Sequence, residues 1–214
     1  MTDQNVLTDE VKVKLSTPIK LDLCTGGNFR EGFISVDMNP KTKPDIVCNI
    51  AKERLPFDDN SVDEIWFMHG PEHIERHFWD FIFMECKRVL KSNCKLCVGY
   101  PEWVVCASNY IKALGENDSK KDYWLQTMYG RRYWAGDEHV TAVNSSELQL
   151  ILESCGYYKV RYCPEEEFTY NSLMVAVKDP SPNYREKVMC AELGLPGTPQ
   201  SIQEVIVNDL NHRV

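Results

Sequence analysis

Seven short runs rich in Val, Ile and aromatic residues recur along the chain, and helical periodicity separates several of them. The runs are "IKLDL" (19–23), "GFISVD" (32–37), "DIVCNI" (45–50), "DEIWFM" (63–68), "KLCVGY" (95–100), "YYKVRYC" (157–163) and "NSLMVAVK" (171–178). Each has the length and composition of a strand. Between the fourth and fifth lies "EHIERHFWDFIFMECKRVLK", where Ile74, Phe78, Phe81, Ile82, Val89 and Leu90 approximate a helical stripe and Lys87, Arg88 and Lys91 complement a C-terminal dipole. A second helix is announced by "NSSELQLILESCG": Asn144 caps, Glu147 takes the capping-box position, Leu148, Ile151 and Leu152 form the stripe, and Gly156 ends it. Strands alternating with helices predict an α/β fold, a three-layer sandwich around a seven-stranded, mostly parallel sheet. Its ligand belongs beyond the carboxyl ends of the strands.

Residues 101–143 interrupt this alternation with an aromatic-rich insertion, with helical pieces expected around Val104–Leu114 and Asp122–Met128. Insertions of this length at a strand's carboxyl end commonly carry selectivity on a rigid scaffold. After Lys178, the segment "TPQSIQEVIVNDL" has a capping box in Ser201 and Glu204 and an apolar face of Ile202, Val205, Ile206 and Leu210. That helix suits docking on its own domain or pairing with another subunit as a homo-oligomer.

Composition narrows the function classes. The chain is 43% hydrophobic and 26% charged with a net charge of −8, so long-range attraction to nucleic acid or to an anionic membrane surface is not expected. The first residues, "MTDQNVLTDEVKVK", have neither a basic start nor an apolar core, and no run of 18 apolar residues occurs, so the expectation is a cytoplasmic protein. Nine scattered cysteines suit a reducing compartment. Cys94 and Cys97 have CxxC spacing, but a zinc or redox site needs further ligands or an activating helix, and Cys97 falls in a strand.

The first strand ends in "LDLCTGGNFREGFISVD". A dinucleotide site calls for G-x-G-x-x-G opening a helix, because the pyrophosphate rests on that helix N-terminus. Only "NFREG" separates Gly27 from Phe33, too short for a useful helix. The acidic residue for a ribose is nevertheless present as Asp37 at the end of the second run. The pattern suits a nucleoside-like ligand without pyrophosphate, and S-adenosyl-L-methionine meets that description.

The ordered motifs "KLDLCTGGNFREGFISVDMNP", "PDIVCNIAKERLPFDDNSVDEIWFMHGPEHI" and "ECKRVLKSNCKLCV" resemble those of the class I S-adenosylmethionine-dependent methyltransferases, closest to a small group with a shortened first crossover. The likeness is dense over residues 18–100, with a weaker echo to residue 178. It implies a Rossmann-like fold, a methyltransferase-like domain over 1–178 and an extension over 179–214. It places Asp22, Leu23, Cys24, Thr25 and Gly26 beneath the methionine part of the cofactor, Asp37 on the ribose and Met38 against the adenine. Asn49 stands where the family often has an Asp for the adenine amine, with Ile50 beside it. The sequence departs from the family at Cys24, which replaces a glycine and crowds the turn if φ is positive there, at Pro71, and at "KSNCKL" in place of a glycine turn.

"HGPEH" at 69–73 also matches the H-x-x-E-H pattern of one zinc peptidase class. Zinc there needs both histidines on one helical face, and Pro71 stands between them. Proline is favoured at a helix's first position, so the helix is expected to start near Pro71, with His69 outside it at the mouth of the cofactor pocket and no metal bound. His73 and His77 then share a solvated or partly packed helical face. For an acceptor proton, the family echo points to His139, with His69 and Glu72 as alternatives. Tyr129, Arg131, Arg132, Tyr133 and Trp134 suit stacking on and hydrogen bonding to a small-molecule or glycan acceptor. The alternative function is an inactive methyltransferase fold serving as a cofactor-binding scaffold or partner subunit.

Overall fold

The computed structural model describes residues 18–133, 136–164 and 171–180. The helix expected over 201–210 and the site residue Trp134 lie outside them. All seven expected strands are present: β1 (Lys20–Leu23), β2 (Ile34–Asp37), β3 (Ile46–Val47), β4 (Val62–Met68), β5 (Leu90–Pro101), β6 (Tyr157–Pro164) and β7 (Asn171–Lys178). They form one sheet in the order β3-β2-β1-β4-β5-β7-β6. The ladders from β3 through β5 are parallel, and β7 runs antiparallel between β5 and β6. The described α-helices are α1 (Trp79–Val89), α2 (Trp103–Gly115), α3 (Lys121–Tyr129) and α4 (Ser145–Ser154). None of the described helices is long and apolar enough to cross a membrane.

The register explains why this sheet is two-faced. Leu21 pairs with Ile34 and Ile65, Ile65 with Leu96, and Leu96 with Ala176; one step on, Leu23, Val36, Phe67, Val98 and Met174 repeat the row. These residues all enter one core cluster with Ile82, Phe83 and Val89 of α1 and Leu148, Ile151 and Leu152 of α4. Residues of opposite parity make a polar face. Glu64 accepts from Trp66 Nε1 at 2.7 Å and pairs with Lys20 at 3.2 Å and Lys95 at 2.9 Å. A parallel sheet buried in apolar helices on both faces shows continuous hydrophobic runs, whereas "KLDL" and "DEIWF" alternate. The brevity of the β1–β2 connection agrees with that alternation, for it carries no helix and the β2–β3 connection carries only a 3-10 turn, Pro40–Thr42.

One expected boundary is wrong. The crossover helix does not begin near Pro71; Pro71–His73 is a 3-10 turn, Arg76–Phe78 is another, and α1 starts at Trp79. Ile74 is extended, and its carbonyl accepts the Thr141 hydroxyl at 2.7 Å and the Trp79 indole N–H at 3.2 Å. Tertiary bonds thus take the acceptor that a continuous helix would have used, overriding local propensity. His73 and His77 consequently do not share a helical face, and Lys91 belongs to β5. The other expectations hold closely: α2 and α3 cover the predicted helical pieces, and Asn144 caps α4 by accepting from Glu147 N at 2.9 Å.

The run "LPFDD" is fastened to α1 by charge. Glu85, almost fully buried, accepts from Arg88 Nε at 2.8 Å and Nη2 at 2.6 Å and from Leu55 N at 2.8 Å. Arg88 also donates to the Phe57 and Leu55 carbonyls. Removing one partner strands a buried charge, so Arg88→Ala is expected to destabilise the fold by about 3 kcal/mol in urea denaturation. Arg88→Lys should recover only part of that loss, because an ammonium cannot reproduce the fork.

Candidate functional site

The carboxyl ends of β1, β2 and β4 converge on one side of the sheet. After β1 the chain turns sharply: Cys24 has φ +57°, Gly26 φ +56° and Gly27 φ +90°. Cys24 N donates to Val36 O at 2.8 Å, so the thiol-bearing residue continues the ladder while sitting in the left-handed region that favours glycine. The sequence departure at Cys24 therefore does fall where φ is positive. Its thiol is pushed well above the usual range, first by burial and then by the carboxylates of Asp37 and Glu72, which keeps it protonated.

Asp37 fixes this turn. Its Oδ2 accepts from Gly26 N at 2.8 Å and its Oδ1 from Asn39 N at 2.8 Å, so one carboxylate ties the β1 turn to the end of β2. Each oxygen keeps a lone pair for a further donor. Nothing of the protein lies within 4 Å of where a Cβ on Gly26 would stand, leaving open space above the turn. The Thr25 hydroxyl is buried there without a hydrogen-bond partner. Asp22, also buried, has its carboxyl raised by desolvation, opposed by the Arg30 guanidinium 3.8 Å away. An orphaned hydroxyl, a buried carboxylate and an open glycine turn fit the polar tail of an amino-acid-bearing nucleoside.

The remaining residues expected at the cofactor divide. Met38 is 64% exposed just past β2, free to cover a ring. Asn49 lies two residues beyond β3, and its Oδ1 accepts from Ala51 N at 3.2 Å. Leu23 and Ile50 turn their side chains into the core, so only their main chain is available to a ligand.

The opposite wall comes from the β4–α1 connection and the insertion. His69 has φ +51° and donates its N–H to Gly99 O at 2.8 Å, which turns the chain out of the sheet. Its Nδ1 lies 3.2 Å from Glu72 Oε1. The Glu72 carbonyl accepts from Val140 N at 2.8 Å and Thr141 N at 3.1 Å, strapping the insertion's end onto the 3-10 turn. His139 is thereby brought beside His73, ring centroids 4.8 Å apart and edge to face. Burial pushes the His139 imidazole below its ordinary value, with the Glu72 carboxylate opposing, so the ring is neutral at physiological pH. A narrow, partly enclosed crevice with no open cavity inside it is lined by Glu72, Trp103, Met128, His139 and Thr141 among others.

Of the three expected proton-handling residues, the structure brings Glu72 together with both His69 and His139. Sequence reasoning missed His73, whose place is set by a contact with Glu138, 65 residues away. It also missed Arg30, which stacks over Trp66 at 4.0 Å and faces Asp22. Tyr129 and Tyr133 are exposed near the end of α3 and do not line the cleft.

Comparison with known proteins gives the same frame. Residues 21–98 match a family model described as a methyltransferase domain. Among solved structures, the fold is similar to a S-adenosylmethionine-dependent methyltransferase from Archaeoglobus fulgidus (14% identity, TM-score 0.52, 79% of this chain and 90% of that one). It is also similar to one from Methanosarcina mazei (16% identity, TM-score 0.51, 82% and 99%). A third likeness is to the structure of the complex between the Haloferax volcanii Trm112 methyltransferase activator and a methyltransferase (16% identity, TM-score 0.50, 81% and 90%). No curated protein matches. The chain thus has the Rossmann-like α/β fold of these methyltransferases, and residues 21–98 within it are similar to a methyltransferase-domain model.

Gly26 separates stability from binding. Gly26→Ala places a methyl in open space but holds an L-residue at φ +56°, so it should lower stability by about 1 kcal/mol in denaturant titration. The same methyl should obstruct any ligand that approaches the turn closely.

Proposed function

We propose that this methyltransferase-domain chain transfers the methyl group of S-adenosyl-L-methionine to a small-molecule or glycan acceptor. The observation that carries the reading is the Asp37 carboxylate clamped to an open glycine turn with no helix behind it. Such a turn offers hydrogen-bond acceptors for ribose hydroxyls and no helix N-terminus for a pyrophosphate. Asp22, Thr25 and the main chain of residues 23–26 would hold the methionine portion, Asp37 the ribose, and Met38 with Asn49 the adenine. When bound, the cofactor supplies an electrophilic methyl on a cationic sulfonium.

The chain's own contribution is chiefly positioning. Transfer from a sulfonium loses charge at the donor, so little charge stabilisation is needed, while holding the acceptor in line is worth up to roughly 7–11 kcal/mol. His139 lines the crevice beside Glu72 and, kept neutral by burial, holds a nitrogen lone pair there. His69 orients the Glu72 carboxylate next to it. The chain's negative charge disfavours nucleic acid as acceptor.

Calorimetric titration with S-adenosylhomocysteine tests the cofactor half of the reading: the wild type should bind one equivalent. Asp37→Asn, which replaces one charged acceptor oxygen by a donor, should weaken binding at least tenfold, in line with about 1.5–3 kcal/mol for a charge-assisted hydrogen bond. Failure of the wild type to bind overturns the proposal. Binding without product release from any acceptor in a panel of hydroxyl, amine and sugar compounds would favour the scaffold reading.

A further inference from the structure

Glu72 is only 2% exposed, yet its two oxygens are unequally used. Oε1 meets His69 Nδ1 at 3.2 Å, while Oε2 is buried and has no hydrogen-bond partner. An unpartnered buried carboxylate oxygen is costly unless a cation or donor completes it. Around it stand two imidazoles. Ligand atoms of Glu72, His73 and His139 all lie within 4.8 Å of one another, the one such group of His, Cys, Asp and Glu among the described residues.

The hydrogen bond of the His73 ring fixes which of its nitrogens is available. His73 Nδ1 lies 3.1 Å from the Glu138 carbonyl oxygen, and a carbonyl only accepts, so Nδ1 carries the proton and Nε2 the lone pair. The His139 ring stands edge to face against His73, centroids 4.8 Å apart, with a ring nitrogen in the same cluster as the Glu72 carboxylate. An imidazole anchored through one nitrogen to a backbone carbonyl, as His73 is, with the other presented to a shared centre, has the usual outer support of a metal ligand. The carboxylate has its own support in His69. The strap from Val140 and Thr141 to the Glu72 carbonyl holds the two chain segments together, so the trio is set by backbone rather than by long mobile side chains.

We propose that Glu72, His73 and His139 form a binding site for one divalent first-row transition-metal ion, with the remaining coordination positions left to water or a bound ligand. Ligands about 2.1 Å from a common centre stand about 3–4 Å apart, so the trio closes on an ion by small rotations of the half-buried histidines. Two imidazoles and one carboxylate favour manganese, iron, cobalt or zinc over magnesium or calcium, which prefer oxygen throughout. This is not the zinc site of the H-x-x-E-H pattern, since His69 lies outside the trio and His139 replaces it from the insertion. The binding of the ion does not depend on the methyl-transfer reading.

Manganese(II) is the probe, because the nine cysteines would draw zinc to thiols. Titration of the full chain with Mn²⁺ alone, followed by the loss of the free-ion paramagnetic resonance signal, should show one saturable site. Glu72→Gln and His73→Asn should each weaken it at least tenfold, while the exposed His77→Gln leaves it unchanged. His139→Asn, on the strap rather than in the buried turn, covers the case in which Glu72→Gln fails to fold, with thermal melts reporting the fold of each variant. Absence of saturable Mn²⁺ uptake by the wild type overturns the site, as does retention of full affinity in His73→Asn and His139→Asn. Calorimetry with S-adenosylhomocysteine on the same samples separates the two ideas: cofactor bound without Mn²⁺ uptake removes the ion alone, and Mn²⁺ uptake without cofactor binding removes the methyl-transfer reading alone.

Discussion

One carboxylate at the end of β2 holds the carboxyl ends of β1 and β2 in shape. Asp37 accepts an N–H from the turn after β1 and another from the turn after β2, so two strand ends share a single charged acceptor. Without it the β1 turn, which runs through left-handed Cys24 and Gly26 with no helix behind it, would have little to define it. The same oxygens keep lone pairs directed outward from a rigid frame. A group that both organises a loop and can receive a ligand's hydroxyls couples fold to binding without any moving part.

The opposite wall follows a similar economy with different chemistry. Here the Glu72 carbonyl, not its side chain, joins two distant segments, and the side chain is left for function. The strap carrying His139 arrives on backbone bonds to the 3-10 turn, while Thr141 takes the Ile74 carbonyl and thereby prevents the helix from extending backward. Local structure is broken there so that three polar side chains can meet. Left-handed residues at the ends of both β1 and β4, Cys24 and His69, mark the two walls. Unfavourable backbone conformations of this kind persist where the surroundings over-determine them, as they commonly do at functional sites.

Much of this was legible in the sequence. The strands were, because short runs rich in Val, Ile and aromatic residues mark them, and the register places Leu21, Leu23, Ile65 and Phe67 of "KLDL" and "DEIWF" in one core. Asp37 was, because an acid at the end of the second strand has a meaning independent of the rest. The start of α1 was not, because the bonds that deny residues 71–78 a continuous helix come from Thr141 and from Trp79 folding back. His73 was not, because its environment is made by Glu138 and His139, and no periodicity in residues 69–77 encodes a contact that far along the chain. That the Ile50 side chain enters the core was not legible either, because its burial depends on packing across the sheet, while exposed Met38 needs no such knowledge.

A crystal structure grown with S-adenosylhomocysteine bears most directly on the central claim. The account predicts ribose hydroxyls within about 3 Å of the Asp37 carboxylate, hydrogen-bonding distance, the amino-acid tail over Thr25 and Gly26, and the sulfur directed toward the cleft of Glu72 and His139. A ligand seated elsewhere on the chain, or one whose ribose makes no contact with Asp37, would contradict it.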